Sequence, residues 1–431
     1  MSDRGLRVLA FAYREIGDPS RLDRAEEAER ELTLLGLVGL ENPLRPEVPA
    51  AVARCRSAGI RVVMLTGDYG HTALAVARQA GIAADGAEAV TGAQVDALDD
   101  KELARLLAER QPTVFARVAP EHKLRLVEAY KRLGQVVAVT GDGANDAPAL
   151  KAADIGVAMG RTGTEVAREA ADMVLMDDNF ATIVTAVEEG RGVYENIKKF
   201  LTYILTSNVP EAVPFVLFIL AGVPLPLTVL QILLVDLGTD IFPALALGVD
   251  PAERGVMERP PRPTGERMVS RSLLLRALAF LGVLQATLSL LGYFYVQWDF
   301  TGNIFRALVE EGPLYHQATT ITLAGIVACQ IGNAFACRSA RESVLRVGFL
   351  TNRALLWAIG AEVALLAALI GLPPLREVFD LAPIDPKYWP LLAAFPPLFL
   401  TLEEGRKLLA RQLWPGRAAS TRGGRSRPPG A

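Results

Sequence analysis

Six long apolar segments occupy the second half of the sequence. Each has about 20 residues or more, the length that a helix needs to cross the hydrocarbon core of a bilayer. A membrane-spanning segment has to satisfy its own backbone hydrogen bonds, and a helix does so internally. The sequence therefore predicts an all-α transmembrane domain over residues 191–412, with six spans at 200–221, 227–248, 273–297, 315–336, 351–371 and 388–405.

The first half has a different pattern, in which short runs rich in Val, Ile and Leu alternate with stretches of helical period. This alternation predicts an α/β domain with a buried parallel sheet. The predicted strands are 33–40, 61–66, 114–116, 135–140, 155–158 and 173–175. The predicted helices begin near residues 46, 72, 94, 121, 145 and 164. From residue 180 a further helix is expected to continue into the first span, because no turn signal interrupts it.

Basic residues cluster in two loops between spans, at 254–271 and 338–353. Lys and Arg are enriched in short cytoplasmic loops, so the N-terminal domain and the C-terminal tail of a multi-pass plasma-membrane protein would both be cytoplasmic. Residues 413–431, rich in Arg, Gly, Ser and Pro, are predicted to form a disordered basic tail. A net charge of -3 argues against a nucleic-acid partner, which would need a concentrated basic face.

The strongest local pattern is TGDGANDAP at residues 140–148, which follows an apolar run and opens a predicted helix. Ligands bind at the carboxyl ends of parallel strands, and Gly141 and Gly143 permit a sharp turn there. Asp142 and Asp146 would then lie on one edge of the turn, where carboxylate oxygens suit Mg²⁺. The alternative is an acidic helix start capped by Asn145.

Two further patterns suit a phosphoryl group. Thr66-Gly67-Asp68 ends another apolar run and offers a hydroxyl group and backbone N–H groups to a phosphoryl oxygen. Lys123, at a predicted helix start, would neutralise charge on a transferring phosphoryl group. Taken singly, the first pattern is weak and the second is equally an ordinary surface lysine.

The first two spans carry polar and ionisable residues, which are costly in a bilayer and usually functional. Spacings of three or four put each set on one helix face, so that the two faces would form an oxygen-lined cation pocket. Pro210 and Pro243 support this, because a proline frees the carbonyl group four residues earlier. A polar packing seam is the alternative. The predicted cation ligands are Ser207, Asn208, Glu211, Asp236, Thr239 and Asp240.

Four segments occur here in the same order as in the P-type cation-transporting ATPases: GIRVVMLTGD, ARVAPEHK, TGDGANDAPAL and AADIGVAMGRTGTEVAREAADMVLMDDNF. The chain resembles that family over nearly its whole length. The resemblance implies a Rossmann-like domain of haloacid-dehalogenase type, followed by the six membrane helices. It also implies ATP and Mg²⁺ as cofactors, with Mg²⁺ at Asp142 and Asp146. The phosphate-binding and catalytic residues that it implies are Thr66, Gly67, Asp68 and Lys123, with Asn145 as a further catalytic residue.

The same resemblance assigns residues 1–30 to the end of a nucleotide-binding domain and 31–190 to the phosphotransfer domain. TSNVPEAVPF and LLVDLGTDIFPA resemble the ion-binding fifth and sixth spans of type II pumps. Asp236 is closer to the sodium/potassium branch than to the calcium branch. Gln330 and Asn333 fall where such pumps place further ligands, and either packing or cation binding fits that pair.

The sequence also departs from the family pattern. No DKTGT motif, which carries the phosphorylated aspartate of the family, occurs in the 431 residues. The actuator domain and first four spans have no counterpart either, and Asn42 stands where the family usually has an aspartate. We therefore expect either the C-terminal part of an ATP-driven cation pump, with a separate N-terminal half as its partner, or a catalytically inactive membrane binding or regulatory module.

Overall fold

The computed structural model describes residues 6–15, 29–40, 43–302 and 308–413. The chain divides into two compact units. The first contains the residues up to Val187 and Met257–Thr264, and the second contains Glu188–Val256 and the residues from Gly265 onward. Asn42 and the predicted tail beyond residue 413 lie outside the described residues.

The first unit opens with an antiparallel ribbon of β1 (Arg7–Tyr13) and β2 (Thr33–Leu40). The bounds predicted for β2 are confirmed, but its predicted place in a buried parallel sheet is wrong. Leu34 and Leu35 are 65% and 67% exposed. This exposure follows from the pairing, because a ribbon of two strands does not bury its own faces.

The remaining strands form two parallel sheets of three strands each, in the orders β3-β5-β4 and β6-β7-β8. The first sheet consists of β3 (Met64–Leu65), β4 (Val90–Thr91) and β5 (Val114–Ala116). The second consists of β6 (Ala138–Gly141), β7 (Ile155–Met159) and β8 (Met173–Leu175). The parallel α/β arrangement is confirmed, but as two sheets instead of one.

The split leaves β3 and β6 as edge strands. β3 pairs with β5 over two residues, and β6 pairs with β7 over four. Both are therefore shorter than the predicted strands 61–66 and 135–140, since a strand extends only as far as its hydrogen-bonded neighbour allows. Their apolar sequences are typical of strands with neighbours on both sides, whereas each has one open edge here.

Seven helices connect these strands, and most begin within two residues of the predicted positions. α3 and α4 start with capping boxes in which the side chains of Thr91 and Asp99 accept backbone N–H groups. The helices are α1 (Val48–Ser57), α2 (Gly70–Gln79), α3 (Gly92–Ala97), α4 (Asp100–Glu109), α5 (Pro120–Arg132), α6 (Ala147–Ala152) and α7 (Glu165–Ala170).

The second unit is helical. The predicted continuation into the first span is confirmed, because α8 (Phe180–Ala221) is one helix of 42 residues. The second span consists of α9 (Val229–Leu234), a π-helical segment (Val235–Thr239) and α10 (Ile241–Gly248). The rest are α11 (Arg271–Leu274), a second π-helical segment (Leu275–Gly282), α12 (Val283–Thr301), α13 (Pro313–Cys337), α14 (Val344–Val347), α15 (Arg353–Gly371), α16 (Pro373–Val378) and α17 (Trp389–Leu413).

Five of the six predicted spans coincide with helices that are long and apolar enough to cross a membrane: Phe180–Ala221, Val229–Gly248, Arg271–Thr301, Pro313–Cys337 and Arg353–Gly371. The sixth, 388–405, coincides with α17, which is outside this set. Its internal prolines and the charged residues of its second half, from Glu403 to Lys407, lower its hydropathy. Glu403 is nonetheless fully buried against Arg276, with the two side chains 2.8 Å apart.

A buried ionic cluster connects four helices of this unit. Asp250, just after α10, accepts hydrogen bonds from Lys199 Nζ at 2.8 Å, Arg338 Nε at 3.0 Å and Asn352 Nδ2 at 2.9 Å. These residues come from α8, the end of α13 and the start of α15, and all are buried. One carboxylate therefore compensates two cations that water does not reach.

Candidate functional site

The predicted carboxylate turn lies where the pattern places it, directly after β6. Residues Ala144–Asp146 form a 3₁₀ turn that leads into α6. A Cβ on Gly141 would lie 2.5 Å from the Cβ of Asp146, so only glycine allows this close approach. Asp146 is buried at 8% exposure, whereas Asp142 and Asn145 are exposed.

Lys123 is brought to this turn from α5. Its Nζ lies 2.6 Å from Asp146 Oδ1, and the Gly143 N–H donates to Asp146 Oδ2 at 3.2 Å. A lysine 23 residues away in sequence thus neutralises one of the two predicted metal ligands. The contact excludes the reading of Lys123 as an isolated surface residue.

The Thr66-Gly67-Asp68 turn ends β3 in the other parallel sheet. The Asp68 N–H donates to Thr66 Oγ1 at 3.1 Å, and Thr66 Oγ1 donates to Asp68 Oδ2 at 3.2 Å. The Val118 N–H donates to the Thr66 carbonyl at 3.1 Å, two residues before α5 begins. The turn is therefore fixed to the segment that leads to Lys123.

The donor set of the turn fits a hard divalent cation. Asp142 and Asp146 supply carboxylate oxygens, the ligand type that Mg²⁺ prefers, and the exposure of Asp142 leaves room for water ligands. Neighbouring His122 has a structural role instead: its Nδ1 accepts the Ala119 N–H at 2.8 Å, and its Nε2 lies 2.8 Å from Asp96 Oδ1.

The second predicted site lies among the membrane helices of the second unit. Glu211 of α8 and Asp236 and Asp240 of the second span each place a carboxylate oxygen within 4.8 Å of the others. Glu211 and Asp240 are buried. Three carboxylates so close together in an apolar unit require compensation by a cation or by protonation.

Several predicted cation ligands carry buried polar atoms without a hydrogen-bond partner among the described residues. Gln330 donates its Nε2–H to Asp240 Oδ1, while Tyr203 OH donates to the same oxygen at 3.3 Å. The atoms without such a partner are Glu211 Oε1, Gln330 Oε1 and Asn333 Nδ2, whereas the Ser207 side chain contacts Asp240. Buried polar atoms normally have partners, so the oxygen atoms among them are free to accept a further ligand.

Two predicted ligands have other surroundings. Asn208 is exposed in the described chain, unlike its neighbour Ser207. The Thr239 hydroxyl donates to the Val235 carbonyl at 3.1 Å, across the π-helical segment. Such segments widen a helix and occur often at functional sites. The segment here contains Asp236 and ends four residues before Pro243.

Sequence reasoning missed three buried polar residues in the same unit. Glu362 of α15 is fully buried, and neither of its carboxylate oxygens has a partner among the described residues. Its helix packs on the π-helical segment, since Leu365 Cδ2 lies 3.0 Å from the Cβ position of Gly238. Gln285 of α12 is likewise buried and unsatisfied, and Tyr203 contacts Asp240. An ionisable residue within an apolar span would have identified Glu362.

Comparison with known proteins agrees with this division of the chain. Residues 7–154 match a haloacid dehalogenase-like hydrolase family, and a second family of the same description matches residues 122–187. Residues 224–409 match the family described as cation transporting ATPase, C-terminus. The chain therefore combines a haloacid dehalogenase-like α/β domain with the C-terminal membrane region of a cation-transporting ATPase.

Named relatives cover nearly the whole chain. Calcium-transporting ATPase 1 of Bacillus cereus is 41% identical over 90% of the chain and 44% of its own length. The calcium-transporting ATPase of Bacillus subtilis is 41% identical over 91% of the chain and 42% of its own length. The human sodium/potassium-transporting ATPase subunit alpha-3 is 38% identical over 95% of the chain and 46% of its own length. The chain is thus homologous to the P-type cation-transporting ATPases, a membrane-bound class that uses ATP and Mg²⁺, and spans less than half the length of these relatives.

Proposed function

We propose that this chain is the phosphotransfer and ion-binding part of an ATP-driven cation pump. The observation that carries the proposal is the cluster of Glu211, Asp236 and Asp240 inside a unit of membrane-capable helices. Buried acids of this kind mark ion pathways, because placing them in an apolar environment is costly unless a cation binds or a proton is taken up. Calcium and sodium/potassium pumps among the relatives support the same reading, while leaving the transported ion open.

The first unit would hold and transfer the phosphoryl group of ATP. Thr66, Gly67 and Asp68 would bind phosphoryl oxygens through a hydroxyl and backbone N–H groups, with Asn145 at the edge of the site. Lys123 would neutralise charge on the group during transfer, as its position beside Asp146 allows. Mg²⁺, held by Asp142 and Asp146, would withdraw charge from the phosphoryl oxygens.

The phosphorylated aspartate would come from a segment outside these 431 residues. β3 and β6 end in the Thr66 and Asp142 turns, and both have an open edge. We infer that a parallel strand pairs with these two edges and thereby delivers its carboxylate between the two turns. A separate N-terminal half that carries DKTGT, the actuator domain and four further spans is the proposed source.

The proposed topology places the first unit and the C-terminal tail in the cytoplasm. The arginine-rich loops around 254–271 and 338–353 support this orientation. Asn208, exposed here, would complete the cation site together with spans of the missing half. Glu362, whose buried carboxylate oxygens have no partner among the described residues, would supply further oxygen atoms.

Thermal stability of the purified chain in detergent tests the cation site. Ca²⁺, Na⁺ and K⁺ are compared at constant ionic strength, and a bound ion at 100 times its Kd should add about 2.7 kcal/mol. We expect Asp240→Asn to abolish the ion-specific shift and Glu311→Gln, an exposed acid of the same unit, to retain it. An equal shift in Asp240→Asn contradicts the site. No shift with any ion in the wild type would favour the inactive binding or regulatory module.

A further inference from the structure

We propose that Asp178 is a positioning residue for the Asp142–Asp146 turn, acting through the loop of residues 160–164. The inference rests on the proposed function of that turn in holding Mg²⁺ and phosphate. Asp178 itself touches neither group. It would set the position of the Asp142 backbone from the carboxyl end of β8, the strand at the other edge of the second sheet.

Asp178 accepts hydrogen bonds from the loop through both of its carboxylate oxygens. Oδ1 accepts the Arg161 N–H at 2.9 Å, and Oδ2 accepts the Thr162 N–H at 2.9 Å. The residue is buried at 7% exposure, three residues after β8 ends. Its φ of 51° lies in the left-handed region, which Asp tolerates better than most residues. The two hydrogen bonds of the carboxylate thus occur together with an unfavourable backbone conformation at the same residue.

The loop between Asp178 and the turn is tightly packed, so a displacement at one end is transmitted. A Cβ on Gly163 would lie 1.9 Å from the Met159 carbonyl oxygen, and one on Gly160 would lie 2.7 Å from the Leu175 carbonyl oxygen. Arg168 Nη1 also donates to the Gly160 carbonyl at 3.0 Å. The loop has little space for an alternative path.

The far end of the loop holds Asp142 directly. The Thr164 N–H donates to the Asp142 carbonyl at 2.8 Å. Thr164 also caps α7 by accepting the Ala167 N–H at 3.3 Å, so its own position is fixed. Contacts therefore run without a break from Asp178 through the loop to a predicted metal ligand.

A carboxylate is needed at this position because two successive N–H groups point at the side chain. The Arg161 N–H, and then the Thr162 N–H, hold the pKa of Asp178 below its ordinary value, which means that they favour the ionised form. In Asp178→Asn one acceptor becomes an NH₂ group facing an N–H donor. Adjacent Asp177 provides a matched control: it bonds Thr182 Oγ1 at 2.6 Å and the Asn179 N–H at 3.2 Å, at the start of α8.

Hydrogen exchange of the metal-free full chain in detergent gives the first readout. We expect Asp178→Asn to accelerate exchange of the Arg161, Thr162 and Thr164 amides and of the peptide covering 138–146, each about tenfold. A tenfold change corresponds to a decrease of about 1.4 kcal/mol in the free energy of local opening. Asp177→Asn should leave these segments unchanged. Acceleration confined to Arg161 and Thr162 would overturn the proposal, because Asp178 would then hold only its own loop.

Affinity for Mn²⁺, used as a paramagnetic probe for the Mg²⁺ position, gives the second readout. Residues that orient metal ligands typically change metal affinity by about 10-fold or more, so we expect that weakening in Asp178→Asn and none in Asp177→Asn. Equal affinity of Asp178→Asn and wild type would overturn the positioning role while leaving the metal site intact. Wild-type binding that survives Asp142→Asn would instead refute the proposed metal site, and the exchange experiment would still decide the role of Asp178.

If Asp178→Asn does not fold, the wild type still tests the coupling. Linkage is reciprocal, so Mn²⁺ binding at the turn must slow exchange of the Arg161 and Thr162 amides if these groups position the turn. Unchanged exchange at those two amides upon saturation with Mn²⁺ would overturn the proposal.

Discussion

Removing the charge of Asp250 should destabilise the second unit more than any other single loss of a carboxylate there. Asp250→Asn leaves Lys199 and Arg338 buried, with side-chain exposures of 6% and 2%, and without their counter-charge. Breaking a buried ion pair from one side costs about 3–5 kcal/mol. For a unit of this size each kcal/mol lowers Tm by about 2–4 °C, so the expected decrease lies at about 6–20 °C.

The buried cysteines of this unit provide the assay. Cys329 and Cys337 are at most 1% exposed, so a thiol-reactive fluorophore labels them only when the helices open. Cys55 of the first unit is changed to serine to make the signal specific. Asp299→Asn is the matched control, since Asp299 pairs with a Lys387 that is 46% exposed, and such exposed pairs contribute little.

A double variant separates the ionic argument from a general defect. Adding Arg338→Met to Asp250→Asn removes one of the two uncompensated cations, so part of the lost stability should return. A decrease in Tm no larger than that of Asp299→Asn would refute the reasoning, as would additive losses in the double variant.

Four further substitutions test local contacts, three of them in the first unit and one, at Gly190, in the second. Gly163→Ala should destabilise the first unit by about 1–3 kcal/mol, because the added methyl group would collide with a backbone carbonyl. Gly190→Ala adds a methyl group in open space on a helix and should stabilise the protein by about 0.5–1 kcal/mol. Thermal unfolding measures both changes. Asp99→Ala removes an N-cap and should cost about 1 kcal/mol in denaturant unfolding. The Val137 N–H lowers the pKa of Asp154 in the folded state, so the ionised Asp154 contributes to the free energy of unfolding. This stabilisation is complete above the unfolded pKa of about 3.9 and is lost as pH falls through the folded pKa. Unfolding curves are measured over a range of pH, and below pH 4 the free energy of unfolding should depend less steeply on pH in Asp154→Asn than in the wild type. An equal dependence in the two proteins would contradict the assignment.

The division into an α/β part and a membrane part could be predicted because each depends on local hydrophobic pattern. The extent of the edge strands could not. The runs 61–66 and 135–140 have the composition of central strands, yet β3 and β6 extend only as far as one neighbour pairs with them. Strand length is a property of the pair, so a pattern on one strand cannot fix it.

The candidate sites were predictable to different degrees. Spacings of three or four residues placed the polar residues of each of the first two spans on one face of its helix. The structure brings Glu211 of the first span together with Asp236 and Asp240 of the second. The Lys123–Asp146 contact depends on how α5 lies on the second sheet, which no local pattern encodes. Gln285 carries no signal of its own, because a lone glutamine in an apolar helix is recognisable only once its surroundings are known to leave it unsatisfied.

Phosphoenzyme formation shows whether this chain carries the phosphorylated carboxylate. Membranes that contain this chain are incubated with radiolabelled ATP and Mg²⁺, quenched in acid and resolved on an acidic gel beside a complete P-type pump as a positive control. We expect no label on the 431-residue chain, because the DKTGT motif does not occur in it and the phosphorylated aspartate would lie on another segment. An acid-stable label on this chain that hydroxylamine removes would contradict the account, since another carboxylate would then be the nucleophile.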